Sequence, residues 1–233
     1  MIFENKRTCV IIIAYAVLYI AWIFFRLENE AGHWLTMVLI PSVILAFAHW
    51  QPSIKSTATE IVHSFGLSWG GIGKGFIVGA AVGIPISVFQ VYYSERTDSI
   101  LAILGSSKVL IVLPMTFVLM LFTAGFTEEF LFRGLLQNSV ARLVKSNFVT
   151  VLVTSIVFGI YHLPYAYLHP NWPSHGDLAW AFRSAMGQGM IGGIIFGSIY
   201  VGTKRNLWAA VFAHTFVNLL PAMTMLKMGA NQP

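Results

Sequence analysis

The chain has 233 residues, of which 57% are hydrophobic and only 10% charged, and its mean hydropathy is +0.74. These values lie far outside an ordinary soluble domain and indicate an integral membrane protein. A net charge of +5 carried by 14 Lys and Arg does not point to nucleic acid, because the cations stand in ones and twos between apolar segments instead of forming a basic face.

A spanning helix needs about 20 mostly apolar residues. The expectation is therefore an all-α, polytopic transmembrane bundle with spans near 8–26, 33–50, 71–93, 109–138, 147–168, 183–203 and 206–227: seven, within a range of six to eight. The first, "TCVIIIAYAVLYIAWIFF", follows Lys6 and Arg7 like a signal peptide, but its length and the lack of a cleavage site mark it as a retained helix. With the N-terminus inside, the cytoplasmic cations are Lys6, Arg7, Lys55, Lys74, Arg133, Arg142, Lys145, Lys204 and Arg205. Arg26, Arg96, Lys108, Arg183 and Lys227 fall on the other side. Nine against five favours that orientation. The lone Cys9 forms no internal disulfide. The whole chain, 1–233, reads as one membrane domain, with its chemistry-bearing residues in about 109–227.

The third span places Gly71, Gly75, Gly79 and Gly83 one helical turn apart, and the sixth does the same with Gly189, Gly193 and Gly197. Such small-residue faces serve close helix packing, and no chemistry is assigned to them. The segment "PYAYLHPNWPSHGDLAW" reads as an interfacial loop with its aromatics at headgroup level, or else as a lid over a site.

Ionisable side chains within a bilayer are costly and usually serve a function. The fourth span carries Glu128, Glu129 and Arg133 within "AGFTEEFLFRGLLQ", the fifth His162 in "FGIYH", and the seventh His214 and Asn218 in "HTFVN". Glu128 lies 17 residues before Lys145 and His162 lies 17 after it, so an antiparallel helix pair puts them at equal depth. At 1.5 Å per residue that depth is about 20 to 25 Å from the basic turn, against about 14 to 20 Å for His214 and Asn218 from theirs. All can share one layer. Glu129 and Arg133 are spaced for an intrahelical ion pair, as His214 and Asn218 are for one face. Glu128, about 100° round the helix, is then left free. His33, His49 and His63 sit at segment ends or in a loop and read as interfacial, while His169 and His175 lack an acidic partner beyond Asp177.

A glutamate in an apolar pocket suits general-base work on a water, with His162 holding that water. Amide hydrolysis also needs donors for the oxyanion, and His214 and Asn218 are two. Intramembrane Glu, His and Arg also build proton relays in transporters, but no inverted repeat with matched Gly or Pro interruptions is visible.

"EEFLFR" fits EExxxR, "FGIYH" fits FxxxH and "HTFVN" fits HxxxN, in order and on separate spans. The region of about 109 to 227 thereby resembles the CAAX protease and bacteriocin-processing (CPBP or Abi) family, which includes the Ras-converting CAAX endopeptidases. The resemblance implies an intramembrane endopeptidase acting on membrane-associated peptides or proteins. Glu128 would be the base, Glu129 and Arg133 its support, His162 the water-positioning partner, and His214 with Asn218 the oxyanion donors. It implies no cofactor, with a zinc ion on Glu128, His162 and His214 as the rival mechanism, and a catalytically silent immunity or scaffold protein as a further alternative. The short loops resemble the bacterial or archaeal type, which implies a prokaryotic cell membrane. Eukaryotic members process prenylated CAAX proteins, whereas bacterial ones are associated with peptide maturation, immunity or signalling.

Overall fold

In the computed structural model, which describes residues 5–48, 58–170 and 172–225, helices alternate in direction through seven apolar passes. α1 is Lys6–Ile23, opened by Asn5, whose side chain accepts from the Arg7 amide. α2 runs through Glu30–His33, a π-helical stretch Trp34–Leu39, and Ile40–Ala48. The short α3, Ala58–Ser64, leads through a turn at Gly66 and a 3-10 turn Trp69–Gly71 into α4, Ile72–Tyr92. The short α5 is Thr97–Leu104. α6 is a single long element, Val109–Val144, α7 is Asn147–Leu168, α8 is Leu178–Gly202 and α9 is Leu207–Ala222. Among the described residues, five passes are long and apolar enough to cross a bilayer by length and composition, whereas α2 and α9 are shorter. Large apolar side chains such as Leu18, Ile77, Leu110 and Phe148 face outward along the spans, a surface that suits lipid and not water.

Boundaries differ from the expected ones for local reasons. α6 continues past residue 138 to Val144 because Asn138 is held inside, donating to the Gly134 carbonyl and the Tyr200 hydroxyl. α8 starts five residues early because Asp177 caps it, accepting from the Trp180 amide. α3 and α5 are too short to register as apolar periods. His49, Lys55 and Lys227 lie outside the described residues.

The glycine faces pack as small-residue stripes should. A Cβ on Gly75 would come within 2.7 Å of Trp208 Cβ, one on Gly79 within 2.5 Å of Phe212 Cβ, and one on Gly83 within 2.5 Å of Phe216 Cβ. The constant offset shows that α4 and α9 run parallel in near backbone contact. Their starts are pinned together where Asn206 donates to the Gly71 carbonyl at 2.8 Å and the Leu207 amide to Gly66 at 2.9 Å. Gly66, at φ +82°, takes a conformation that favours glycine. α6 and α8 are tied by a second pair of matched bonds, from Arg133 to the Gly193 carbonyl at 3.1 Å and from Gln137 to the Gly197 carbonyl at 3.2 Å. The sixth-span glycines thus serve more than packing, since Gly193 also accepts from the site's arginine.

Candidate active site

α6, the helix of "AGFTEEFLFRGLLQ", is not uniform. Two π-helical stretches, Leu121–Gly125 and Phe130–Gln137, flank one α-helical turn, Phe126–Glu129. π-turns inside helices often mark functional positions, and here they bracket both glutamates.

Glu129 is fully buried and Arg133 nearly so, at 0% and 2% exposure. Arg133 donates to Glu129 Oε1 at 2.8 Å, and its guanidinium lies 4.4 Å from the Phe158 ring and 5.4 Å from that of Phe196. His214 reaches the same carboxylate oxygen from α9 through Nδ1 at 2.9 Å, while its ring stacks on Phe196 at 4.6 Å. A buried charge of this kind is tolerated only when paired and hydrogen-bonded.

Glu128 turns the other way. Its Oε2 is buried without a hydrogen-bond partner among the described residues, 3.8 Å from His162 Nε2 and 4.0 Å from His214 Nε2. Both rings are fixed by their far nitrogens, since His162 Nδ1 lies 2.8 Å from the Phe158 carbonyl and His214 Nδ1 is on Glu129. A carbonyl and a carboxylate only accept, so each Nδ1 holds a proton and donates it. In the neutral tautomer both Nε2 atoms therefore present a lone pair toward Glu128. Three acceptors facing one another leave room for a shared proton donor between them.

These groups line a cavity of about 470 Å³ together with Asn218, Phe158, Tyr161, Tyr165 and Trp172. The six residues singled out from the sequence thus converge. Glu128, His162, His214 and Asn218 face the cavity, and Glu129 and Arg133 sit behind them. His33, expected at an interface, instead lines the cavity and pairs through Nε2 with the Tyr165 hydroxyl at 2.7 Å. Its position was invisible because nothing local reports that α2 leans over the end of α7. From the aromatic loop, Trp172 reaches the cavity wall. His63 sits in the last turn of α3, and His169 and His175 are not among the cavity-lining residues. Asp177 serves as the α8 cap.

Among the described residues, no group of three His, Cys, Asp or Glu has metal-ligand spacing. The donor set Glu128, His162 and His214 does not close as it stands to the fit zinc needs, so no step below is routed through a metal.

Residues 110–220 match the family model described as Type II CAAX prenyl endopeptidase Rce1-like. Comparison with curated proteins and with solved structures gave no match.

Proposed function

We propose that the chain, whose residues 110–220 match the Rce1-like family of type II CAAX prenyl endopeptidases, is a protease of that family and hydrolyses a peptide bond of a membrane-associated peptide or protein using a water activated by Glu128. The observation that carries this reading is the unpartnered Glu128 Oε2 facing two imidazole Nε2 atoms in a cavity. A substrate water supplies the donor that Glu128 Oε2 and His162 Nε2 lack. It donates one proton toward Glu128 and the other toward His162 Nε2, leaving an oxygen lone pair for the substrate carbonyl.

As the water oxygen bonds to the carbonyl carbon, Glu128 takes a proton and the carbonyl π electrons move onto oxygen. The oxyanion is met by the Asn218 carboxamide and by His214 Nε2–H. His214 offers that proton only when its ring carries two, with Glu129 accepting from Nδ1, and in that form the water's acceptors are Glu128 and His162. Glu128 next returns its proton to the departing nitrogen as the carbon–nitrogen bond breaks. Glu129 and Arg133 never touch substrate in this scheme, and they position His214.

The cavity wall is apolar and aromatic, which suits a peptide with hydrophobic side chains beside the cut. We also read the host as a prokaryotic cell membrane, a reading supported by the short α6–α7 and α8–α9 connections. The deciding experiment offers a fluorogenic peptide library to purified protein in detergent, comparing the parent with Glu128→Gln. Cleavage by the parent with a loss of about 10²- to 10⁴-fold in the variant is expected. An equally active Glu128→Gln protein would sink the mechanism.

A further inference from the structure

The cavity is not symmetric across the bilayer. Its wall is built from the ends of helices remote from the basic turns: Phe89 and Gln90 at the end of α4, Tyr165 near the end of α7, Trp172 in the loop beyond it, Ser184 near the start of α8, and His33 in the first turn of α2. No residue of the 142–146 or 203–206 turns lines it. Glu128 stands 17 residues from Lys145 along α6, about 25 Å at helical rise, which is most of the way across a hydrocarbon core of about 30 Å.

Charge marks the two ends. Contacts place Lys6, Arg7, Lys74, Arg142, Lys145, Lys204 and Arg205 at one end: α1 begins beside the last turn of α6, and the start of α4 is pinned to the start of α9. At the other end lie Arg26, Arg96, Lys108 and Arg183, interspersed with Glu28, Glu95, Asp98 and Asp177. Lys55 and Lys227 lie outside the described residues and Arg133 is in the site, so the described bias is seven to four. Short connections rich in Lys and Arg stay in the cytoplasm.

We infer that the cavity opens on the extracytoplasmic side, and that the substrate is a peptide or membrane-protein segment emerging on that face rather than a lipidated protein presented from the cytoplasm. The inference rests on the proteolytic reading for the word substrate, but the orientation stands without it. A segment leaving the bilayer there meets the aromatic rim of Trp172 and Tyr165 first and Glu128 last.

The test uses full-length protein in cells, with Cys9, which is buried, left in place and the parent as blank. His175→Cys reports the loop beside the cavity and Asn147→Cys the basic turn. Glu95→Cys and Lys74→Cys form a second pair should either of the first fail to insert, and all four positions are exposed. A membrane-impermeant maleimide should label His175→Cys and Glu95→Cys on intact cells, and Asn147→Cys and Lys74→Cys only after lysis. The reverse pattern, or labelling of both members of a pair on intact cells, overturns the orientation. A peptide that the purified protein cleaves should also be cut when added outside sealed cells, and cutting only after lysis overturns the delivery side. A purified parent that cleaves nothing counts against proteolysis alone, because labelling does not depend on activity.

Discussion

Glu129 and His214 are joined by a 2.9 Å hydrogen bond across 85 residues of sequence. The same oxygen accepts from Arg133, so one buried carboxylate couples the α6 arginine to the α9 imidazole that faces Glu128.

Removing that carboxylate strands a buried guanidinium. Glu129→Ala should therefore lose about 3–5 kcal/mol of stability, read as a lowered thermal midpoint in detergent and poor recovery of monodisperse protein. A Glu129→Ala protein as stable as the parent would show that Arg133 finds another partner.

Asn218 bears on catalysis alone in this scheme. Asn218→Ala should lower kcat by about 10²- to 10³-fold, as loss of one oxyanion donor does, with KM and thermal midpoint close to the parent's. A change confined to KM would make it a substrate-binding residue instead.

Activity should persist after exhaustive treatment with a chelator, because the proposed steps use only side chains and water. Loss of cleavage that zinc restores would transfer Glu128, His162 and His214 to the role of metal ligands.

Gly189 sets the position of His162. An added Cβ would stand 3.1 Å from His162 Nδ1, against the nitrogen that holds the Phe158 carbonyl. Gly189→Ala should cost on the order of tenfold to 100-fold in kcat through misplacement, measured alongside an unchanged elution profile. Full activity would mean that the ring adjusts.

Along the stripe on α4, position matters more than residue type. Gly79→Leu would force α4 off α9 and should abolish folded protein. Gly73→Leu, whose Cβ meets nothing within 4 Å, should behave as the parent in size-exclusion chromatography.

Much of this was legible beforehand. Seven apolar runs and the positions of the glutamates, His162, His214 and Asn218 relative to basic turns sufficed to bring those residues to one layer, because helical rise is nearly constant and the connections are short. What could not be read was lateral: that His33 leans over α7, that Trp172 folds back onto the cavity wall, and that Gly193 presents its carbonyl to Arg133. Those depend on which helices neighbour one another and how they tilt, and apolar runs in lipid carry little information about either. The caps at Asp177 and at Asn206, whose side chain accepts from the Trp208 amide at the start of α9, were available in the sequence as polar residues just ahead of apolar runs.

The parallel α4–α9 contact also bears on how the protein is made. α6 with both glutamates and Arg133 leaves the ribosome before α9, which follows it in the chain with α7 and α8 between them. Until then Glu129 lacks its imidazole, the cavity lacks a wall, and the glycine groove of α4 stands open to lipid. Docking of α9 into that groove brings His214 to Glu129 and Asn218 to the cavity wall together, so helix packing and closure of the charge cluster are one event.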